Sequence, residues 1–173
     1  MKGYVYFWST KHPKYGCFSQ WYQSPFTVGG ITYSCTEQWM MYWKALTFGD
    51  MDTASRILRE TSPKVIKGLG RAVKNYDDRV WRSVSFSIVE LGNKYKFLQN
   101  PELWKILDGT GEAIICEASP VDSHWGIGMS EEDAIKAGDA WTGDNWLGWA
   151  LTNVRDTIRE ENERAKSPEK KNA

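Results

Sequence analysis

Apolar positions recur at helical spacing through most of the chain and at strand spacing only in short pieces. The longest periodic stretch runs from residue 77 to residue 99, where Trp81, Val84, Ile88, Leu91, Tyr95 and Leu98 step by 3, 4, 3, 4 and 3. That spacing predicts one long helix burying a single stripe. Asn100-Pro101 ends it and opens a short helix to Leu107. A second pattern, at residues 145–163, places Leu147, Leu151, Val154 and Ile158 on one face of a final helix. A third begins at Ser34, where Ser34 and Glu37 fit the capping-box spacing, and predicts a helix to Phe48 stopped by Gly49. Helices over 51–60 and from Pro63 to Asn75, the latter with proline at its first position, and a short one over 130–137 complete the set.

Strand-like runs are brief: residues 3–8 (GYVYFW), 31–33 after Gly29-Gly30, and 113–117 (AIICE) after the Gly109–Gly111 turn. Residues 9–30, 118–128 and 138–145 read as loops. The sum is an α+β protein, a mainly helical single domain with a small β-sheet. It spans residues 1–163, followed by a charged tail, 164–173, expected to be disordered.

Composition narrows the function. The chain has 173 residues, 41% of them hydrophobic and 25% charged, which suits one globular core. Its 10 Trp are unusual: such a chain often has a cleft that stacks flat rings, although tryptophan also simply fills cores. Lysine plus arginine equal aspartate plus glutamate at 22 each, so no basic excess exists for gripping long nucleic acid. Three scattered cysteines and two histidines match neither a disulfide framework nor a metal-site spacing, so no metal site is expected. The first residues do not read as a signal peptide, and no apolar run approaches the roughly 20 residues of a membrane helix. The expectation is a soluble, cytoplasmic protein without a membrane partner.

Four segments carry candidate chemistry. In Glu117-Ala-Ser-Pro-Val-Asp122-Ser-His-Trp125-Gly-Ile-Gly128 a buried strand delivers a glutamate, and the loop after it presents an acid, a histidine and an indole. The plainer reading is a Ser-Pro turn capped by Asp122. Glu37 opens a nearly all-apolar helix; it either closes the capping box or stands as a desolvated acid at the mouth of a cleft. Lys64, Lys67, Arg71 and Lys74 share one helix face and suit phosphates, although most such stripes are solvated surface. Trp141-Thr-Gly-Asp-Asn145-Trp-Leu-Gly148 reads first as a turn and helix cap. His12 and His124 lack recognisable partners. What remains is carboxylate chemistry with aromatic stacking, without a metal.

In order, these segments resemble the NADAR (YbiA-like) family of N-glycosidases. The match runs through Tyr15-Gly-Cys-Phe18-Ser19, Ser24-Pro-Phe26, and Tyr33 with Thr36-Glu37-Gln38, Lys44 and Phe48. It continues through Ile57, Ser62-Pro63, Lys67-x-Leu-Gly-Arg71, Trp81, Lys96-Phe97-x-Gln99-Asn100, Leu107 and Thr110-Gly111. It closes with the 117–128 segment, Trp141-x-Gly143-x-Asn145-x-Leu-Gly148 and Val154-Arg155, so that it covers residues 7–159. Two departures stand out: Gln20-Trp21 where the family has Asn and another aromatic, and Gln38 where its histidine commonly follows the glutamate. Both are expected near the pocket.

The resemblance implies hydrolysis of a ribose C1–N bond without a cofactor. The implied substrates are small phosphorylated molecules, namely nucleotides or the ribosylamine phosphates of early riboflavin biosynthesis. ADP-ribose on guanine, as in ADP-ribosylated DNA, is a further class. On this reading Glu37 and Asp122 share the acid, base and charge-stabilising duties. Trp125 stacks on the base or ribose, with Trp8, Trp21 or Trp81 as another wall. Lys44, Lys67 and Arg71 meet phosphate, Gln99 and Asn145 meet hydroxyls, and Phe18, Gln20 and Gly126 complete the substrate contacts. A non-catalytic nucleotide-binding module using the same pocket is the alternative.

Overall fold

The fold turns on helix α1 (Thr36–Thr47), whose first two turns are buried. In the computed structural model, which describes residues 3–138 and 140–167, α1 packs against α2 (Met51–Arg59), α3 (Pro63–Arg71) and α4 (Asp78–Gln99). A short helix α5 (Pro101–Asp108) leads to strand β4 (Ile114–Glu117). Helix α6 (Glu131–Lys136) precedes α7 (Trp146–Lys166), which covers α4 and β4. Among the described residues no helix is long and apolar enough to cross a membrane.

Strand β1 (Tyr4–Phe7) pairs in parallel with β4, with Val5 opposite Ile115 and Phe7 opposite Glu117. Their carboxyl ends therefore finish side by side and open towards the same space, as α/β crevices do. A second pair, β2 (Phe26–Val28) and β3 (Ile31–Tyr33), forms an antiparallel hairpin. Its two-residue turn holds Gly29 and Gly30 at φ of 58° and 81°, which only glycine adopts freely. β2 lies inside the stretch read from sequence as loop. Three residues after a proline are too few for an alternating pattern to register.

The stripe of α7 is buried as expected: Leu147, Leu151, Val154 and Ile158 are all in the core. That of α4 is not. Leu91 and Leu98 are exposed, and the inner face is instead Trp81, Ser85, Val89, Gly92, Asn93, Lys96 and Phe97. Two of the polar members, Asn93 and Lys96, are tolerated there because the loop at 17–20 supplies partners. Lys96 Nζ donates to the carbonyls of Cys17 (2.5 Å) and Ser19 (3.4 Å), and Asn93 donates to Gln20 Oε1 at 3.1 Å. Burial pulls the Lys96 ammonium down to about 8. The long buried lysine thus tethers the segment that forms one wall of the site.

Other boundaries shift for local reasons. α3 ends at Arg71 rather than Asn75, because Asp50 draws the chain away. Its carboxylate caps α2 through Thr53 N–H (3.1 Å) and also accepts Lys74 N–H at 3.0 Å. α7 continues to Lys166, three residues into the stretch expected to be disordered. Residues 168–173 of that tail lie outside the described residues.

Candidate active site

Two helix N-termini build the site by the same device. The first N–H groups of a helix lack intrahelical partners and must find acceptors. In α1, Glu37 N–H donates to the Gln20 carbonyl at 2.9 Å, which fixes the 19–21 wall against the helix. In α7, Trp146 and Leu147 N–H donate to the carbonyls of His124 (3.2 Å) and Trp125 (3.0 Å). Bonds from Asp144 to Ser123 and from Asn145 to Gly126 extend this zipper, and it holds the Asp122–Trp125 loop in place.

The capping box at α1 is closed differently from the expectation. Ser34 N–H and hydroxyl both donate to Gln38 Oε1, at 2.7 and 3.1 Å, while Gln38 Nε2 donates to the carbonyls of Ile57 and Glu60. Gln38 is therefore an internal brace, away from the cavity wall, and Glu37 is released from capping. Glu37 is only 5% exposed and faces the main cavity.

That cavity has a volume of about 800 Å³. Glu37, Met40, Met41 and Lys44 reach it from α1, and Lys67 and Arg71 from α3. Trp81 comes from α4, Gln20 and Trp21 from the tethered loop, and Trp8 from the end of β1. Glu117, Ser119, Asp122 and Trp125 close it from β4 and the loop that follows. The lining carries three carboxyl groups and three cations, with Met40, Met41 and Leu147 among its apolar members.

The carboxyl groups feel one another. Burial pushes Glu37 up to about 7, opposed by Lys67, Trp21 and Arg71 and reinforced by Asp122. Burial likewise pushes Glu117 up to about 8, helped by Asp122 and Glu37 and opposed by Lys67. Asp122 accepts two backbone bonds on Oδ1, from Trp125 N–H at 2.8 Å and His124 N–H at 3.0 Å. Burial lowers the Lys44 ammonium, with Glu37 opposing the shift; Lys44 lies 4.2 Å from the Tyr76 ring centroid and 5.7 Å from that of Trp81. Lys67 sits 5.8 Å from the ring of Trp21.

The structure brings Glu37, Asp122, Trp125, Trp81, Lys44, Lys67, Arg71 and Gln20 around one cavity. Four other expected contacts lie elsewhere. Phe18 is fully buried and packs edge-on against Phe7. Gln99 makes two bonds with the backbone of Thr27 and so pins the β2–β3 hairpin to α4. Asn145 is fully buried and bonded to the backbone of β4. Gly126 is a packing glycine: a Cβ there would lie 2.8 Å from the carbonyl oxygens of both Glu117 and Asp122. Lys64 and Lys74 of the basic stripe are exposed and do not line the cavity. Both histidines have partners. His124 Nδ1 meets Asp144 at 3.0 Å, and His12 Nδ1 accepts Tyr15 N–H at 2.9 Å. Glu117 joins the site: the sequence placed it in a candidate segment, as the glutamate that a buried strand delivers, but gave it no role. The signal for it was the register of β1 and β4, which no single sequence displays.

Fold and cavity together define a small α+β domain with an acid-and-base-lined pocket of nucleotide size. The sequence matches the NADAR domain over residues 6–159, and the chain belongs to that family. It is 40% identical over 161 residues to N-glycosidase R617 of Acanthamoeba polyphaga mimivirus, covering 88% of this chain and 95% of that protein. It is 29% identical to N-glycosidase YbiA of Escherichia coli, covering 89% and 88% of the two chains. The NMR structure of E. coli YbiA superposes with a TM-score of 0.76 at 28% identity, covering 94% of this chain and 89% of that one.

Proposed function

We propose that this protein is an N-glycosidase that hydrolyses the bond between a ribose C1 and nitrogen in a phosphorylated, nucleotide-like substrate. The observation that carries this reading is the meeting of Glu37 and Asp122 with Lys44, Lys67 and Arg71 across one aromatic-walled cavity. The names of the relatives agree with it. Each part of such a substrate has a counterpart: cations for phosphate, indoles for a flat ring, carboxylates for the reacting carbon.

Departure of the nitrogen group leaves positive charge on the ribose, and a carboxylate beside it lowers that barrier. Asp122 supplies this charge, because two backbone N–H bonds on Oδ1 orient it and leave Oδ2 for the sugar. Glu37, raised to about 7, is poised to take a proton from water as the oxygen bonds to C1. Lys67 and Arg71 on one face of α3, with Lys44 opposite, hold phosphate. Trp125 and Trp81 bracket the ring. The reaction needs no metal in this scheme.

The test is to incubate the protein, with and without chelator, with a ribosylamine pyrimidine phosphate and separately with an oligonucleotide carrying ADP-ribose on guanine. Chromatography follows the released ribose phosphate or ADP-ribose. Release from the small molecule alone assigns a metabolite-cleaning role, and release from the oligonucleotide alone assigns removal of a nucleic-acid modification. Binding without release from either leaves a non-catalytic nucleotide-binding module. Loss of release with chelator overturns metal independence.

A further inference from the structure

The scheme above employs two carboxyl groups, yet a third stands in the same cavity without a task. Glu117 is clamped by its backbone on both sides. Its N–H donates to Asn145 Oδ1 at 3.1 Å, and its carbonyl accepts Ser119 N–H at 2.8 Å and Ile127 N–H at 2.9 Å. The absence of a side chain at Gly126 leaves room for that carbonyl. Glu117 lines the cavity, and its Oε2 is buried with no hydrogen-bond partner among the described residues.

A buried polar atom that the protein leaves unmet costs folding free energy, and in the wall of a cavity it is placed to meet a ligand. The groups facing it are Asp122 on its own loop, Glu37 on α1 and Lys67 on α3. Two neighbouring acids and burial outweigh the one cation, so the carboxyl is raised to about 8 and holds its proton at neutral pH. A neutral acid beside two others is the arrangement by which a site keeps one proton donor among several carboxylates.

We propose that Glu117 is a catalytic residue whose Oε2 donates the proton to the departing nitrogen group, a role that rests on the N-glycosidase reading above. In the step, the C1–N bond breaks and its electron pair goes to the nitrogen, which takes the proton from Glu117. Water forms the new C1–O bond and gives one proton to Glu37. Glu37 then returns its proton to solvent and Glu117 regains one, so the net change is one water consumed.

The experiment compares wild type and Glu117→Gln on two substrates with the same ribose phosphate. One is whichever of the two compounds above wild type cleaves. The other is the analogue carrying a pyridinium ring, which departs neutral and needs no proton. Gln keeps the shape of a protonated carboxyl, and thermal melting checks that the variant folds. The expected result is a loss of about 100-fold or more in kcat on the first substrate with KM little changed, and a rate within a few-fold of wild type on the second. In wild type, kcat/KM falls as pH rises through about 8, and in Glu117→Gln that alkaline limb disappears. Equal losses on both substrates, an unchanged rate on the first, or an alkaline limb that survives the substitution overturns the role. If wild type leaves the pyridinium analogue intact, the alkaline limb alone decides. If wild type cleaves only the pyridinium analogue, glycosidase activity stands and the proton-donor role falls. If wild type cleaves nothing, both fall.

Discussion

Asn145 Oδ1 accepts the backbone N–H of Glu117 at 3.1 Å, while its Nδ2 donates to the Ile115 carbonyl at 2.9 Å. One fully buried amide thus stands where β4 has no second partner strand among the described residues. Asn145 also adopts φ of 56°, a left-handed conformation that asparagine tolerates better than most residues. Asn145→Ala strands two backbone groups and strains the turn. Each stranded group costs about 1–3 kcal/mol, and the turn adds about 1 kcal/mol. The expected outcome in urea unfolding is a loss of roughly 3–7 kcal/mol. Catalytic rate should fall with it, because Glu117 and the Asp122 loop share this support.

Gln99 gives the opposite result. Its amide donates to the Thr27 carbonyl at 2.9 Å and accepts Thr27 N–H at 2.8 Å, far from the cavity wall. Gln99→Ala should destabilise by about 1–2 kcal/mol through loss of the hairpin tether and leave kcat and KM unchanged. A rise in KM without loss of stability would restore Gln99 as a substrate contact.

How far the sequence spoke for the structure depends on what each residue faces. Periodicity located α1 and α7, and Ser62-Pro63 and Asn100-Pro101 marked helix starts, because these are local signals. The inner face of α4 was not legible. That helix lies between α1 and α7, and the buried Asn93 and Lys96 bond to a loop that lies 73 and 79 residues away in sequence. The same gap explains the site. Glu37 and Asp122 could be picked as unusual acids, but the family motif does not say whether Asn145, Gln99 and Gly126 touch substrate or backbone. Glu117 was visible as a residue, and its direction was decided by strand pairing with Phe7.

The buried acids carry a stability signature with a definite sign. Glu37 titrates near its ordinary 4.5 when unfolded and at about 7 when folded. Between those values the folded chain holds a proton the unfolded chain has lost, so stability falls as pH rises from the lower to the higher value and is level above it. The rise corresponds to roughly 3 kcal/mol. Glu37→Gln removes this cost and should melt higher than wild type near pH 9 by roughly 6–12 °C. The gain should vanish near pH 4, where both forms of Glu37 are protonated, so differential scanning at the two pH values checks the sign. A gain of equal size at both would show that the change acts through packing instead. Activity should be lost at either pH, the usual relation between a strained catalytic group and stability.

Asp122→Asn separates the chemistry from the architecture. The substitution keeps a side-chain oxygen able to accept Trp125 N–H and His124 N–H, so the loop and its zipper to α7 should survive. What disappears is the negative charge beside the sugar. If that charge stabilises the oxocarbenium-like ribose, kcat should fall by about three orders of magnitude, equivalent to roughly 4 kcal/mol of transition-state stabilisation. KM should change little, since Lys44, Lys67, Arg71 and the indoles still hold the substrate. Charge on Asp122 also raises Glu37 and Glu117, so both should titrate lower in the variant. The residual pH profile should therefore move to more acidic values. Steady-state kinetics across pH checks both effects at once, and a variant with wild-type kcat would remove Asp122 from the reaction.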